Sequence, residues 1–488
     1  MNQPMPATSL AYEACPEPAG LPIAVDVDGT FLHVDTLHEG VALLLLRQPW
    51  MIFAVIAALF RGKAAFKAFI AQRAPLTCDK LPVNRPLHDL LRQEHAKGRR
   101  IALFSAADQS TVDRLCEAYP LFESGHGSDG RRNLSGKAKL AVIREKLGDE
   151  FVYAGNAPAD FHVWRGSAAA IVVSPSSRFT RKVERALPVH HAFSAPRRGL
   201  KTWMRGLRVH QWAKNALVFV PALMSIPKLT PALMGEFFAG FAALCAVASA
   251  TYLVNDLFDL DSDRQHHSKC NRPLASGAIP LLQGVLAAIV LLAIGLAFAW
   301  LLPPLSGALV VAYLVGSLAY SFAVKRIALL DTITLGALFT VRIAVGAAIL
   351  RSNPPFWLFA FSMFFFTSLA FVKRHAELIG RPQDSGIVPG RGYAPVDLPL
   401  VVAAGTGCAL SSIVVFLIYI GGGEFDRSLF TDPGWLGVIP VALGYWVLRI
   451  WSLALRNQMH EDPVLFAIRD KTSYLVATFV VMGLLLAW

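Results

Sequence analysis

At 488 residues, with 54% hydrophobic and only 16% charged side chains, the chain is too long and too apolar for one ordinary water-soluble domain. The net charge of +12 comes without zinc-finger spacing or an aromatic and basic nucleic-acid module, so it points to an anionic membrane face rather than to nucleic acid. The six cysteines are scattered and form no CxxC pair, which argues against both a disulfide framework and a zinc site.

Residues 1–20 read as a tail without the basic start and apolar core of a secretory signal, so the domain that follows is expected in the cytoplasm. Residues 21–176 read as an α/β domain. The short apolar run LPIAVDVD suits a buried parallel strand ending in carboxylates, and RRIALFSA, EFVYAGN and AAAIVVSP repeat the pattern between helical stretches. In such sheets the chemistry collects beyond the carboxyl ends of the strands, where Asp26, Asp28, Ser105 and Asn156 fall. The roughly seventy residues between Thr30 and Ser105 leave room for a helical cap. This includes VALLLLRQPWMIFAVIAALF (41–60), which Arg47, Gln48 and Pro49 interrupt so that neither piece spans a bilayer.

These pieces resemble the haloacid dehalogenase superfamily of phosphatases. The matching residues are Asp26-Val-Asp28-Gly29-Thr30, then Ser105, Lys137, and Gly155-Asn156 with Asp160. The resemblance implies a Rossmann-like fold in which Asp26 attacks phosphorus and Asp28 protonates the leaving oxygen. Ser105 and Lys137 would hold the phosphoryl group, and Mg²⁺ would sit among Asp26, Asp28, Asn156 and Asp160. Asn156 stands where the family often has Asp, which removes one negative charge from that metal site.

Residues 177–209 read as a basic, loop-like linker suited to anionic head groups, with Arg178, Arg181, Lys182, Arg185, Arg197, Arg198, Lys201, Arg205 and Arg208. Residues 210–488 read as an all-α membrane bundle. Nine apolar segments, at about 211–226, 234–255, 279–300, 304–324, 330–350, 355–373, 398–420, 433–455 and 472–488, come near the length that crosses about 30 Å of hydrocarbon. Lysines and arginines crowd the loops after the even-numbered segments. The opposite loops carry only Lys228, Arg351 and Arg427, alongside Glu424, Asp426 and Asp432, so the former face the cytoplasm.

The second segment ends in Asn255-Asp256-Leu-Phe-Asp259-Leu-Asp261-Ser-Asp263. Carboxylates so near an apolar span need a partner. On a continuous helix Asp256, Asp259 and Asp263 share one face and Asp261 points away, an arrangement suited to Mg²⁺ completed by substrate phosphates. Lys269 and Arg272 follow as phosphate donors.

The NDxxDxxxD pattern of Asn255, Asp256, Asp259 and Asp263 resembles the UbiA family of intramembrane prenyltransferases, over roughly residues 200–488. The second acidic motif of that family's aromatic prenyltransferases is replaced here by Lys373-Arg374-His375-Ala-Glu377. That departure, with Lys214, Tyr320, Lys325, Asp331 and Asp462 in their local stretches, resembles a branch that transfers 5-phosphoribose from phosphoribosyl diphosphate to a polyprenyl phosphate. The resemblance implies Mg²⁺ on Asp256, Asp259 and Asp263. Lys214, Lys373 and Arg374 become candidate phosphate clamps, and Asn255, Tyr320, Lys325 and Asp462 further substrate contacts. Two other readings stay open: prenyl transfer to an aromatic acceptor, and a non-enzymatic scaffold binding polyprenyl phosphate.

Overall fold

The structure is a computed structural model that describes residues 20–196, 199–223, 225–226, 229–351, 356–382, 384, 386–388, 390–422, 430–459, 462–467 and 469–487. The tail before Gly20 and the charges expected at Arg197, Arg198, Lys228, Glu424, Asp426 and Arg427 lie outside the described residues. Two units divide the chain. One comprises 1–207 with 253–287, the other 208–252 with 288–488.

In the first unit six strands form one parallel sheet: β1 (Ile23–Val25), β2 (Ile101–Asp108), β3 (Ser124–Ser128), β4 (Val152–Gly155), β5 (Ala169–Ser174) and β6 (Val189–Ser194), in the order β3-β2-β1-β4-β5-β6. This doubly wound order reverses direction between β1 and β4, which is where an open α/β sheet opens its ligand crevice. Every residue of β1 is buried, and Ile23 pairs in register with both Ile101 and Val152. Apolar side chains pack both faces, Ile23, Val25, Leu103 and Val112 in one cluster and Phe104, Phe151, Tyr153 and Trp164 in another. A central parallel strand therefore reads as an unbroken apolar run.

The expected linker is not loop-like. It contains the helix Ser177–Glu184, the sixth strand and the helix Leu200–Gly206. β6 carries only half-buried and exposed residues, as an edge strand does, so VHHAFS shows no apolar run to read.

Between β1 and β2 lies the cap, with helices Thr36–Arg47, Ile52–Leu59 and Lys63–Arg73. Asp35 caps the first of these by accepting from His38 N. Val41, Leu44, Val55, Ala58, Phe66 and Ile70 bind the three helices together.

Among the described residues seven helices, rather than nine segments, are long and apolar enough to cross a membrane: Pro231–Phe258, Leu281–Leu301, Pro304–Phe322, Leu330–Ile349, Phe356–Leu378, Pro395–Gly421 and Pro433–Leu455. The first expected segment folds instead as a 3₁₀ helix, Val209–Phe219, with the short helix Val220–Leu223. The last is a 17-residue helix, Lys471–Ala487. In the second unit Trp446, Ile450 and Trp451 pack against Phe365, Phe366 and Val372.

Candidate active site

In the first unit β1 delivers Asp26 into a buried position, where Oδ1 accepts from Lys139 Nζ at 2.7 Å and Oδ2 from Thr30 Oγ1 at 3.4 Å. Lys139 Nζ also donates to Tyr153 Oη at 3.1 Å, and that hydroxyl donates to Asp160 Oδ1 at 2.8 Å. The other Asp160 oxygen accepts the backbone N–H groups of Asn156 and Ala157, at 3.0 and 2.9 Å. Asp160 thus braces the loop after β4. Asp28 Oδ1 accepts from Thr36 N at 2.8 Å, at the start of the cap helix. Burial holds the carboxyls of Asp26 and Asp28 above their ordinary range, against Lys139 for Asp26 and reinforced by Asp35 for Asp28.

Gly29, directly after Asp28, has a φ of +74°, and a Cβ there would stand 2.1 Å from Asn156 Nδ2. Only glycine lets the β1 and β4 loops close on each other. Ser105 is buried in β2, its Oγ accepting from Ala107 N at 3.0 Å.

The expectation for Lys137 is corrected. It is exposed at the start of its helix, and Lys139 is the buried lysine that meets Asp26. Two residues along a helix turn the side chain to the opposite side. Lys67, on the cap helix Lys63–Arg73, was not singled out in the sequence; its Nζ donates to Ala106 O at 2.6 Å and Asn133 Oδ1 at 2.8 Å.

The same unit holds the aspartate motif. The helix ends at Phe258 and a new one starts at Leu260, with a turn at Asp259 across which Asp259 N still donates to Asn255 O at 2.9 Å and Asp263 N to Asp259 O at 2.8 Å. Asp256 and Asp263, both buried, share one side and converge on Arg272: Nη1 lies 3.1 Å from Asp256 Oδ1 and 2.5 Å from Asp263 Oδ2. Asp259 Oδ2 accepts from Asn255 Nδ2 at 3.1 Å. Asp261 and Lys269 are exposed. Burial pushes the Asp263 carboxyl up, against the pull of Arg272.

Asp263 Oδ1 is buried and accepts no hydrogen bond. Among the described residues no three His, Cys, Asp or Glu side chains gather as a metal-holding group. Two carboxylates with an oxygen to spare fit Mg²⁺, which commonly takes one or two protein carboxylates and fills its shell with water and phosphate.

In the second unit, Lys214 Nζ donates to Asp462 Oδ2 at 2.7 Å, and Lys373 Nζ lies 4.0 Å from the same oxygen. Burial alone would raise the Asp462 carboxyl; Lys214 and Lys373 outweigh it and hold it below its ordinary value. Arg374 is engaged elsewhere. Its Nε lies 2.6 Å from Asp331 Oδ2, Nη1 donates to Glu377, and Nη2 donates to Tyr320 Oη at 3.0 Å. The Tyr320 hydroxyl also accepts from Arg391 at 3.3 Å. Lys325 lies half-buried in the turn Val324–Arg326.

The UbiA prenyltransferase family matches residues 216–469, just over half of the chain. The chain belongs to the UbiA family. It is a multi-pass membrane protein, a transferase of that family whose bundle follows a parallel α/β unit. Protein y4nM of Sinorhizobium fredii is 36% identical to it over 96% of this chain and 91% of its own, so the likeness extends beyond the UbiA match. The nodulation protein NoeC of Azorhizobium caulinodans is 31% identical over 58% of this chain and 92% of its own. The decaprenyl-phosphate phosphoribosyltransferase of Mycobacterium tuberculosis is 27% identical over 56% of this chain and 90% of its own.

Proposed function

We propose that this UbiA-family transferase moves 5-phosphoribose from phosphoribosyl diphosphate to a polyprenyl phosphate, and that its α/β unit then dephosphorylates the lipid product. The observation that carries the reading is the Lys214–Asp462–Lys373 cluster. Two ammonium groups share one carboxylate, leaving a positive charge that suits a phosphate-bearing substrate better than an aromatic ring. The likeness to a decaprenyl-phosphate phosphoribosyltransferase supports the same choice.

In this reading Asp256 and Asp263 hold Mg²⁺, and Arg272 offers donors to the diphosphate. The metal, when bound, draws charge from the leaving group. The bond from the anomeric carbon to the diphosphate oxygen breaks, and a lipid phosphate oxygen takes its place. Lys214 and Lys373 bind substrate phosphate. Arg374 is a positioning residue that ties Asp331, Glu377 and Tyr320 together.

For the α/β unit we assign Asp26 as the nucleophile that forms an aspartyl phosphate, with Asp28 as the group that protonates the leaving oxygen. Lys139 and Ser105 hold phosphoryl oxygens. Asp160 already spends its oxygens on Asn156, Ala157 and Tyr153, so a metal there falls to Asp26, Asp28 and Asn156.

The proposed orientation puts the aspartate motif in the cytoplasm. The loops after the first, third, fifth and seventh long helices carry Arg264, Lys269, Arg272, Lys325, Arg326, Arg381, Arg391, Arg456, Arg469 and Lys471, and those after the second, fourth and sixth carry Arg351 among the described residues. The Glu39–Arg264 pair puts the cap on the motif's side, so in this reading Val209–Leu223 makes one further crossing, about 28 Å long at about 2.0 Å per 3₁₀ residue and 1.5 Å per α residue.

The test is detergent-purified protein given phosphoribosyl diphosphate, Mg²⁺ and polyprenyl phosphate, with pyrophosphate release as readout. Release that needs all three supports the reading. Release only from a polyprenyl diphosphate with an aromatic acid makes the protein a prenyltransferase, and release from neither leaves a lipid-binding scaffold.

A further inference from the structure

The cap carries a surface that the two proposed chemistries leave unused. The helix Ile52–Leu59 packs Val55 and Ala58 against its two neighbours. Its other face, extended through the turn Pro49–Met51, presents Trp50 (69% exposed), Phe53 (78%), Ile56 and Phe60 (87%) to solvent. These follow one another at helical spacing, so they form one stripe rather than isolated residues. A contiguous exposed stripe of this size marks a contact surface.

Three observations fix its partner. Residues 40–78 contain Arg47, Arg61, Lys63, Lys67 and Arg73 and no Asp or Glu, and Arg47, Arg61 and Lys63 are exposed at the two ends of the stripe. An apolar face with Trp among phenylalanines, flanked along the chain by cations and by no carboxylate, complements an anionic lipid surface. The stretch Pro49–Leu59 has too few residues to span the hydrocarbon, at about 1.5 Å per residue. Finally, the cap is tied to the end of a helix long enough to cross the membrane. Glu39 bonds Arg264, six residues past the end of the membrane-crossing helix at Phe258, and the cap helix that carries Glu39 runs on only to Arg47 before the stripe begins.

We propose that Trp50–Phe60 lies in the head-group region of the same membrane that the bundle crosses, as an interfacial helix holding the α/β unit against the lipid. It needs neither proposed activity. Set beside them, it keeps the Asp26 site where a lipid-borne phosphate ester can reach it.

The full-length protein in lipid nanodiscs tests this. A photoreactive benzoylphenylalanine is placed at Phe53, at Phe60 in a second protein, and at exposed Arg131 in a third as the comparison. Illumination and mass spectrometry then identify the adducts. Lipid adducts at 53 and 60 should exceed those at 131 several-fold. They should fall when anionic lipid is replaced by neutral lipid, because the flanking residues are basic. Adducts joining two copies of the chain would make the stripe a protein interface. Lipid adducts at 53 and 60 no more frequent than at 131 would equally overturn the proposal. Two independent positions keep the test valid if one substitution disturbs the cap.

Discussion

Glu39 of the cap helix Thr36–Arg47 and Arg264 of the short helix Leu260–Gln265 form a buried ion pair, one guanidinium nitrogen donating to both carboxylate oxygens at 3.0 Å, with side chains 2% and 4% exposed. The Arg264 Nε donates to Ala275 O at 3.3 Å. Close by in the same unit, Gly277 has a φ of +73°, and a Cβ there would touch Val34 Cγ1 at 2.6 Å. The cap and the segment that carries Asp263, Arg264 and Gly277 are therefore packed together.

Removing one partner strands a buried charge. Glu39→Ala should cost about 3–5 kcal/mol locally, seen as a lower melting temperature of the purified protein and faster proteolysis of the cap. The double substitution Glu39→Met with Arg264→Met should recover most of that loss, because apolar replacement of a whole buried pair is often neutral. A double variant as unstable as the single one would show that the pair does more than fill space.

Lys139→Met should depress phosphate release from a small aryl phosphate by about 10²–10³-fold, the range for losing one preorganised charge at a reacting oxygen. Lys137→Ala should leave the rate near that of the parent. Equal losses at both positions would mean that the buried contact with Asp26 is not the one that matters.

Arg374 and Lys373 are neighbours in sequence with different surroundings. Arg374→Ala leaves buried Asp331 unpaired and should destabilise the bundle by about 3–5 kcal/mol. Lys373→Ala, which leaves the 2.7 Å Lys214–Asp462 pair in place, should leave the melting temperature nearly unchanged and raise the KM for the phosphorylated sugar donor. Should Lys373→Ala unfold the protein while Arg374→Ala changes only KM, the roles are reversed.

Much of this could be read from the residues. The apolar run before Asp26 announced a buried parallel strand, and Asp26 and Asn156 directly follow β1 and β4 on one side of the sheet, whereas Ser105 lies inside β2. Lys139 was missed because helix phase depends on where the helix starts, at Gly136 with a φ of +54°; two residues of error exchange the buried face for the exposed one. The turn at Asp259 is invisible to spacing alone, which groups Asp259 with Asp256 and Asp263, whereas its Oδ2 accepts from Asn255 Nδ2. The basic charge of residues 177–209 concealed an edge strand that buries none of its residues. Val209–Phe219 is short for an α-helical span, and it winds as a 3₁₀ helix, which reaches further per residue and which hydropathy does not distinguish from an α-helix.

The most direct measurement is the mass of the lipid made from labelled phosphoribosyl diphosphate and polyprenyl phosphate. It compares the parent protein, Asp26→Asn, Asp263→Asn and Asp261→Asn in Mg²⁺, with an EDTA-treated parent as control. The account predicts a ribosylated lipid without the 5-phosphate from the parent, and phosphoribosyl lipid accumulating with Asp26→Asn. It predicts no product from Asp263→Asn or after EDTA, and near-normal yield from exposed Asp261→Asn. Labelled lipid at an undiminished rate from Asp263→Asn, or an unlabelled prenyl product from the parent, would contradict it.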